Sequence, residues 1–213
     1  MPLHLHYLDA RGALAEHRAW LQARLLSTYE TASALLPLGP LDVIVKAGRQ
    51  VIAEKGHLGY APEPGVIYLT VDPANPQFSA NPHASLERLF AHELHHAARW
   101  DGPGYGTTLG EALVSEGLAG AFALEALGGQ PEPWECLPLQ TLQAHVAQAE
   151  RGWASTDYGH GRWFFGAGEL PRWLGYSLGF ALVNRYIAQH PGRCASALAH
   201  ADAQVFRGVL DTL

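Results

Sequence analysis

The sequence predicts an α+β fold in which a small, mostly antiparallel sheet packs on a helix and precedes a helical C-terminal half. Runs of β-branched residues are confined to residues 41–73, whereas apolar residues recur at helical spacing before and after them. The length of 213 residues suits one domain with its own hydrophobic core. We therefore expect a single domain over residues 1–213. It would comprise a helix and sheet in 1–80, two central helices in 81–128 and a helical remainder in 129–213.

In the N-terminal part, apolar spacing predicts a helix from Gly12 to Leu36, before the turn-forming segment 36–40. Its expected buried face consists of Leu14, Leu21, Leu25 and Tyr29. Two β-rich runs follow at residues 41–45 and 66–71, with a possible short strand at 51–53 between them. Residues 66–71 are either an edge strand to which an extended peptide could add or an ordinary strand of the sheet.

The C-terminal part is predicted to be helical. Asn81 and Pro82 supply an N-cap and a first-turn proline for a helix that runs to about Trp100. Thr108 begins the next helix, which Gly128 ends near Leu127. Three further helices are expected, at residues 139–151, 171–189 and 195–213.

Composition narrows the classes of function. A net charge of −6 and a charged fraction of 16% offer no basic field for nucleic acid or an anionic membrane surface. We see no apolar run of about 18 residues and no signal-peptide pattern at the start, so we expect neither a spanning helix nor secretion. The isolated Cys136 and Cys194 argue against a disulfide framework. We expect a cytoplasmic protein and leave its oligomeric state open.

The chemistry-bearing motif lies in the predicted helix before Trp100 and reads His92-Glu93-Leu94-His95-His96. Residues four apart share one face of a helix, so the imidazoles of His92 and His96 can reach one ion. Glu93 lies roughly 100° round the helix from His92, where it can act as a base toward a water molecule. Zinc suits such a site because the two imidazoles and a third ligand, a carboxylate from elsewhere in the chain, would leave one coordination position open.

The third ligand has two candidates in the next helix, Glu111 and Glu116. Glu111 completes a capping box with Thr108, and that role accounts for it. The neighbours of Glu116 at helical spacing are small or apolar, so its carboxylate is expected to face inward, where it needs a partner. We prefer Glu116 as the ligand and keep Glu111 as the alternative.

These motifs carry a resemblance to a known family. The HELHH run, followed after nineteen intervening residues by Glu116-Gly117-Leu118-Ala119, resembles the gluzincin metallopeptidases. More narrowly, residues 41–213 resemble a family of predicted zinc-dependent proteases. The resemblance implies a zincin-like fold, zinc as cofactor and a peptide or protein substrate. It also implies His92, His96 and Glu116 as ligands and Glu93 as catalytic base.

Peptide hydrolysis with a zinc-activated water also needs a second donor to the oxyanion. Tyr176 is the first choice because Gly175 and Gly179 beside it indicate a close approach, and His160 is the second. The alternative function is a zinc-stabilised, catalytically weak protease-like binding module, in which Glu93 would be dispensable.

Overall fold

The computed structural model describes residues 3–213 and has the predicted α+β architecture. The packing of its Cα atoms divides the chain into two compact units, one ending at Asp101 and the other running from Gly102 to Leu213. Each unit is described by itself below. The expectation of a single folding domain stays a prediction.

The first unit contains a four-stranded sheet and three helices. The strands are β1 (Leu3–Leu8), β2 (Leu41–Ala47), β3 (His57–Glu63) and β4 (Val66–Val71), in the order β1-β2-β4-β3. The helices are α1 (Arg18–Ser33), α2 (Pro76–Ala80) and α3 (Ser85–Trp100).

The prediction of a mostly antiparallel sheet is wrong, because β1 and β4 both pair with β2 in parallel. The parallel pairing of β1 with β2 follows from the crossover through α1 that connects them. The antiparallel pair is β3 with β4, joined by a tight turn at Gly65, whose φ is +74°.

The predicted edge strand is also misplaced. Val66–Val71 forms β4, but β4 lies between β2 and β3, so the edge strands of the sheet in residues 3–213 are β1 and β3. Sequence analysis predicted no strand in the segment of β3, because glycine and proline interrupt it. The predicted strand at 51–53 is reduced to a bridge between Ile52 and His57.

Helix α1 is shorter than its predicted range, because Gly12–His17 forms turns before it. Its predicted face is buried: Leu14, Leu21, Leu25 and Tyr29 are each at most 8% exposed. Helix α3 begins at Ser85, three residues later than expected, since His83 and Ala84 have φ of +54°. Oδ1 of Asn81 still accepts a hydrogen bond of 2.9 Å from a backbone amide of α3, that of Leu86.

The second unit is helical. Its helices are α4 (Leu109–Leu127), α5 (Leu139–Gly152), α6 (His160–Phe164), α7 (Leu174–Gln189) and α8 (Gln204–Arg207). Helix α4 begins and ends where predicted, with a capping box between Thr108 and Glu111 and with Gly128 at its C-terminus. Among residues 3–213, no helix combines the length and the apolar character needed to cross a membrane.

Two predicted helices of the second unit need correction. Helix α7 starts at Leu174 rather than Pro171, since Trp173 has a φ of +71°. The continuous helix predicted over residues 195–213 is wrong. That segment forms α8 and two single 3-10 turns, at Ser196–Leu198 and Leu210–Thr212.

Candidate metal centre

Helix α3 presents two imidazoles that converge. The Nε2 atoms of His92 and His96 are 3.0 Å apart, and the ring centroids are 4.7 Å apart. Two nitrogens that bind one tetrahedral zinc at 2.0–2.1 Å are about 3.3 Å from each other. The pair therefore has nearly the spacing that a shared ion requires, as expected for positions i and i+4 of one helix.

Glu93 follows the first of these histidines and is 5% exposed. Its side chain lies against the backbone of β3 at Gly59. A Cβ atom at position 59 would be 2.5 Å from Cγ and 2.6 Å from Oε1 of Glu93, closer than van der Waals contact allows. The carboxylate thus occupies space that any other residue at position 59 would partly fill.

Two hydrogen bonds, one on each side of Gly59, hold β3 against α3. Near the start of both elements, His57 Nε2 and Ser85 Oγ are 3.0 Å apart. Near their ends, Trp100 Nε1 donates to the Ala61 carbonyl at 3.0 Å. These contacts place this edge strand of the sheet directly beside Glu93.

In the second unit, Glu116 lies on the buried face of α4 and is 8% exposed. Its neighbours at helical spacing are all buried, as the sequence pattern predicted: Ala112, Leu113, Ala119, Gly120 and Ala123. The Tyr105 hydroxyl donates a hydrogen bond of 2.7 Å to Oε1 of Glu116. A buried carboxylate needs such partners because an unpaired buried charge is costly.

One group of side chains in residues 3–213 could hold a metal ion, and it consists of His92, His96 and Glu116. Each offers one ligand atom, and these atoms all lie within 4.8 Å of one another. Two imidazole nitrogens and a carboxylate oxygen are the donor set of a zinc site with one open position. The residues present therefore fit zinc.

The carboxylate of Glu111, the alternative ligand, accepts hydrogen bonds at the start of α4. Its Oε2 accepts hydrogen bonds from the backbone amides of Thr107 and Thr108, both at 2.8 Å. The Thr108 hydroxyl also donates to it at 2.9 Å. These contacts form the capping box that the sequence pattern predicted.

The two candidate oxyanion donors lie in an aromatic cluster of the second unit. His160 stacks on Phe164 at 4.4 Å, and its Nδ1 is 3.2 Å from the Tyr158 hydroxyl. Burial lowers the pKa of His160 from 6.5, against the opposing charge of Glu116. Tyr176 contacts the same Phe164 ring edge-on at 5.0 Å.

The glycines that singled out Tyr176 have a packing explanation. A Cβ atom at Gly175 would be 2.6 Å from the Phe164 ring, and one at Gly179 would collide with the Leu113 carbonyl of α4. Both glycines therefore allow neighbouring elements of the second unit to pack closely against α7. The roles of Tyr176 and His160 as oxyanion donors stay predictions.

Sequence analysis missed Tyr105. Burial, followed by the charge of Glu116, raises the pKa of its phenol well above 10.0, so the hydroxyl stays protonated and can donate. The available signal was a tyrosine between two glycines, Gly104 and Gly106, in the loop just before the helix of the candidate third ligand. That pattern is too common in loops to have identified a site.

The remaining histidine of the HELHH run in α3 is His95. The residue is fully buried.

Residues 21–207 of the chain match the family described as "Predicted Zn-dependent protease (DUF2268)". This range includes both α3 and α4, and with them the three residues of the metal group. No curated protein matches the chain.

Proposed function

Because the chain belongs to the family of predicted Zn-dependent proteases, we propose that it is a zinc metallopeptidase with Glu93 as general base. The observation that carries this proposal is the group formed by His92, His96 and Glu116, whose ligand atoms lie within 4.8 Å of one another. Two histidines and a glutamate are also the donor set of the gluzincin site that the sequence resembles. A cytoplasmic location and a peptide or protein substrate complete the proposal.

Zinc, when bound, polarises the substrate carbonyl and makes a water molecule more acidic. The carboxylate of Glu93 accepts a proton from the water that attacks the carbonyl carbon. It then returns this proton to the amide nitrogen as the bond between carbon and nitrogen breaks. The burial of Glu93 beside Gly59 supports this role, since a base must be held within hydrogen-bonding reach of the reacting water.

An extended peptide substrate would add to the outer edge of β3, where main-chain hydrogen bonds hold it irrespective of its sequence. Two observations favour β3 over the β4 strand chosen from the sequence. It is one of the two edge strands of the described sheet, and its Gly59 lies against Glu93. Tyr176 or His160 would donate a hydrogen bond to the oxyanion that forms on the substrate.

The test compares wild type, Glu93→Gln and, as a matched control, Glu30→Gln on the exposed side of α1. Bound metal is measured by elemental analysis, and hydrolysis is measured on a library of peptides. We expect about one zinc per chain in all three proteins. Glu93→Gln should lose at least roughly 100-fold in rate because it lacks the proton acceptor, whereas the control should match wild type.

Full activity of Glu93→Gln would contradict the assigned mechanism. A wild-type protein without zinc would contradict the proposed function as a whole. Zinc in a wild-type protein that cleaves no peptide of the library would favour the binding module instead.

A further inference from the structure

We propose that Tyr105 is a positioning residue that orients the carboxylate of Glu116 toward the metal, and that Glu111 holds the loop that carries Tyr105. This inference rests on the proposed function, because it assigns Glu116 as a zinc ligand. It concerns how that ligand is held, and it gives Glu111 a part in the site other than metal binding.

The first step is the contact itself. Tyr105 donates to Oε1 of Glu116 at 2.7 Å, a distance typical of a hydrogen bond to a charged acceptor. A glutamate side chain has three rotatable bonds, and a bond to one of its oxygens restricts them together. With Oε1 engaged by the phenol, the orientation of the carboxylate is restricted. Partners that orient metal ligands in this way contribute to metal affinity.

The second step is the conformation of the loop. Tyr105 lies between Gly104 and Gly106, whose φ values of +71° and +89° are in the left-handed region that favours glycine. A Cβ atom at Gly106 would collide with the Glu111 side chain. The turn that presents the phenol therefore depends on glycine at position 106 and on the nearby carboxylate.

The third step is the role of Glu111. Its Oε2 accepts hydrogen bonds from the backbone amides of Thr107 and Thr108, the two residues that join the loop to α4. The same helix carries Glu116 little more than one turn further on. Glu111 thus ties the loop to the helix that bears the ligand, and Tyr105 bridges back from the loop to that ligand.

The surroundings of the contact favour a strong bond. The Tyr105 ring is 6.2 Å from that of His160, which stacks on the buried Phe164. Aromatic side chains displace water, and a hydrogen bond to a carboxylate is stronger where water is excluded. A tyrosine kept only for packing would not need its hydroxyl, and this difference makes the proposal testable.

The experiment measures the zinc dissociation constant of the full chain by competition with a chromogenic chelator. The proteins are wild type, Tyr105→Phe, Glu116→Ala and the double variant, with Tyr186→Phe as a control for the loss of a phenol elsewhere. We expect Tyr105→Phe to weaken zinc binding roughly 10- to 100-fold and Tyr186→Phe to leave it unchanged. In the Glu116→Ala background, the same substitution should change the constant less than about twofold, because its effect passes through that carboxylate.

Wild-type affinity in Tyr105→Phe would overturn the inference while leaving the proposed function intact. Equal losses in both backgrounds would overturn it too, since the phenol would then act independently of Glu116. A Tyr105→Phe protein that does not fold would show a general structural role and would have the same consequence. If wild type binds no zinc, the proposed function itself fails.

Discussion

The backbone at Gly59 restricts the position of the carboxylate of Glu93, the proposed general base. Glu93 is buried in α3, and its side chain fills the space that a Cβ atom at Gly59 in β3 would need. The bonds from His57 to Ser85 and from Trp100 to Ala61 hold β3 there, so the strand cannot easily retreat. A methyl group at position 59 must therefore displace the carboxylate.

We predict that Gly59→Ala lowers the rate of peptide hydrolysis by roughly 10- to 100-fold, since a shift of about 1 Å in a catalytic group has effects of this size. Zinc content should stay the same, because the three atoms nearest to a Cβ atom at position 59 all belong to Glu93, which is not a proposed ligand. Steady-state kinetics and elemental analysis measure the two quantities. Gly208→Ala is the matched control, since a Cβ atom there would meet nothing within 4 Å. Unchanged kinetics in Gly59→Ala would contradict the assignment.

The two glutamates of α4 illustrate a second point at the residue level. Sequence reasoning separated them correctly in kind: Glu111 forms the capping box, and Glu116 faces inward. It could not connect them, because the connection runs through Tyr105. The hydroxyl of Tyr105 reaches Glu116 only once the loop between Gly104 and Gly106 has its observed turn.

At the level of elements, the second unit depends on a close approach of α4 and α7. Gly117 and Gly179 face each other, and a Cβ atom at either position would collide with the backbone of the other helix. The neighbour of Gly117 is therefore the backbone of α7 at Gly179. Because Glu116 is adjacent to Gly117, this helix contact also determines where the carboxylate lies.

Gly179→Ala should therefore destabilise the protein. Alanine within a helix normally stabilises by about 1 kcal/mol relative to glycine. Here the added methyl group must push the helices apart, which costs about 1–3 kcal/mol. Urea denaturation should show a lower free energy of unfolding for Gly179→Ala and no loss for Gly161→Ala, where the nearest atom to the new Cβ would be 3.7 Å away. A variant Gly179→Ala as stable as wild type would mean that the helices separate without cost.

For the molecule as a whole, metal binding should appear as a gain in stability. A ligand that binds only the folded chain, at 100 times its dissociation constant, adds about 2.7 kcal/mol to the free energy of unfolding. For a chain of this length, that gain corresponds to a rise of roughly 5–10 °C in the melting temperature. We predict such a rise when zinc is added to chelator-treated protein, and its reversal by chelator, measured by calorimetry.

Variants of the candidate ligands provide the controls for this measurement. At the zinc concentration that shifts wild type, the shift should disappear in His92→Ala and Glu116→Ala. In Glu111→Ala it should be smaller but still present, since Glu111 holds the loop of Tyr105 without binding the metal. Loss of the shift in Glu111→Ala, with the shift retained in Glu116→Ala, would reverse the choice of ligand. An equal shift in His92→Ala would place the zinc elsewhere.

Local patterns in the sequence determined much of this protein. Residues four apart on a helix must share a face, so the convergence of His92 and His96 followed from their spacing alone. Capping chemistry likewise determined both ends of α4, because Thr108, Glu111 and Gly128 act within one turn of their own positions. The burial of Glu116 could likewise be predicted from its apolar and small neighbours within the same helix.

The tertiary structure alone decided the order and direction of the strands, because pairing between distant segments leaves no period in the sequence. For this reason β4 proved to be an inner strand and β3 an edge strand, and Gly59 proved to lie beside Glu93. The hydrogen bond from Tyr105 to Glu116 likewise depends on a loop conformation that local propensity does not specify. Spacing along one helix is a local property, whereas the contacts that hold Glu93 and Glu116 in place come from other parts of the chain.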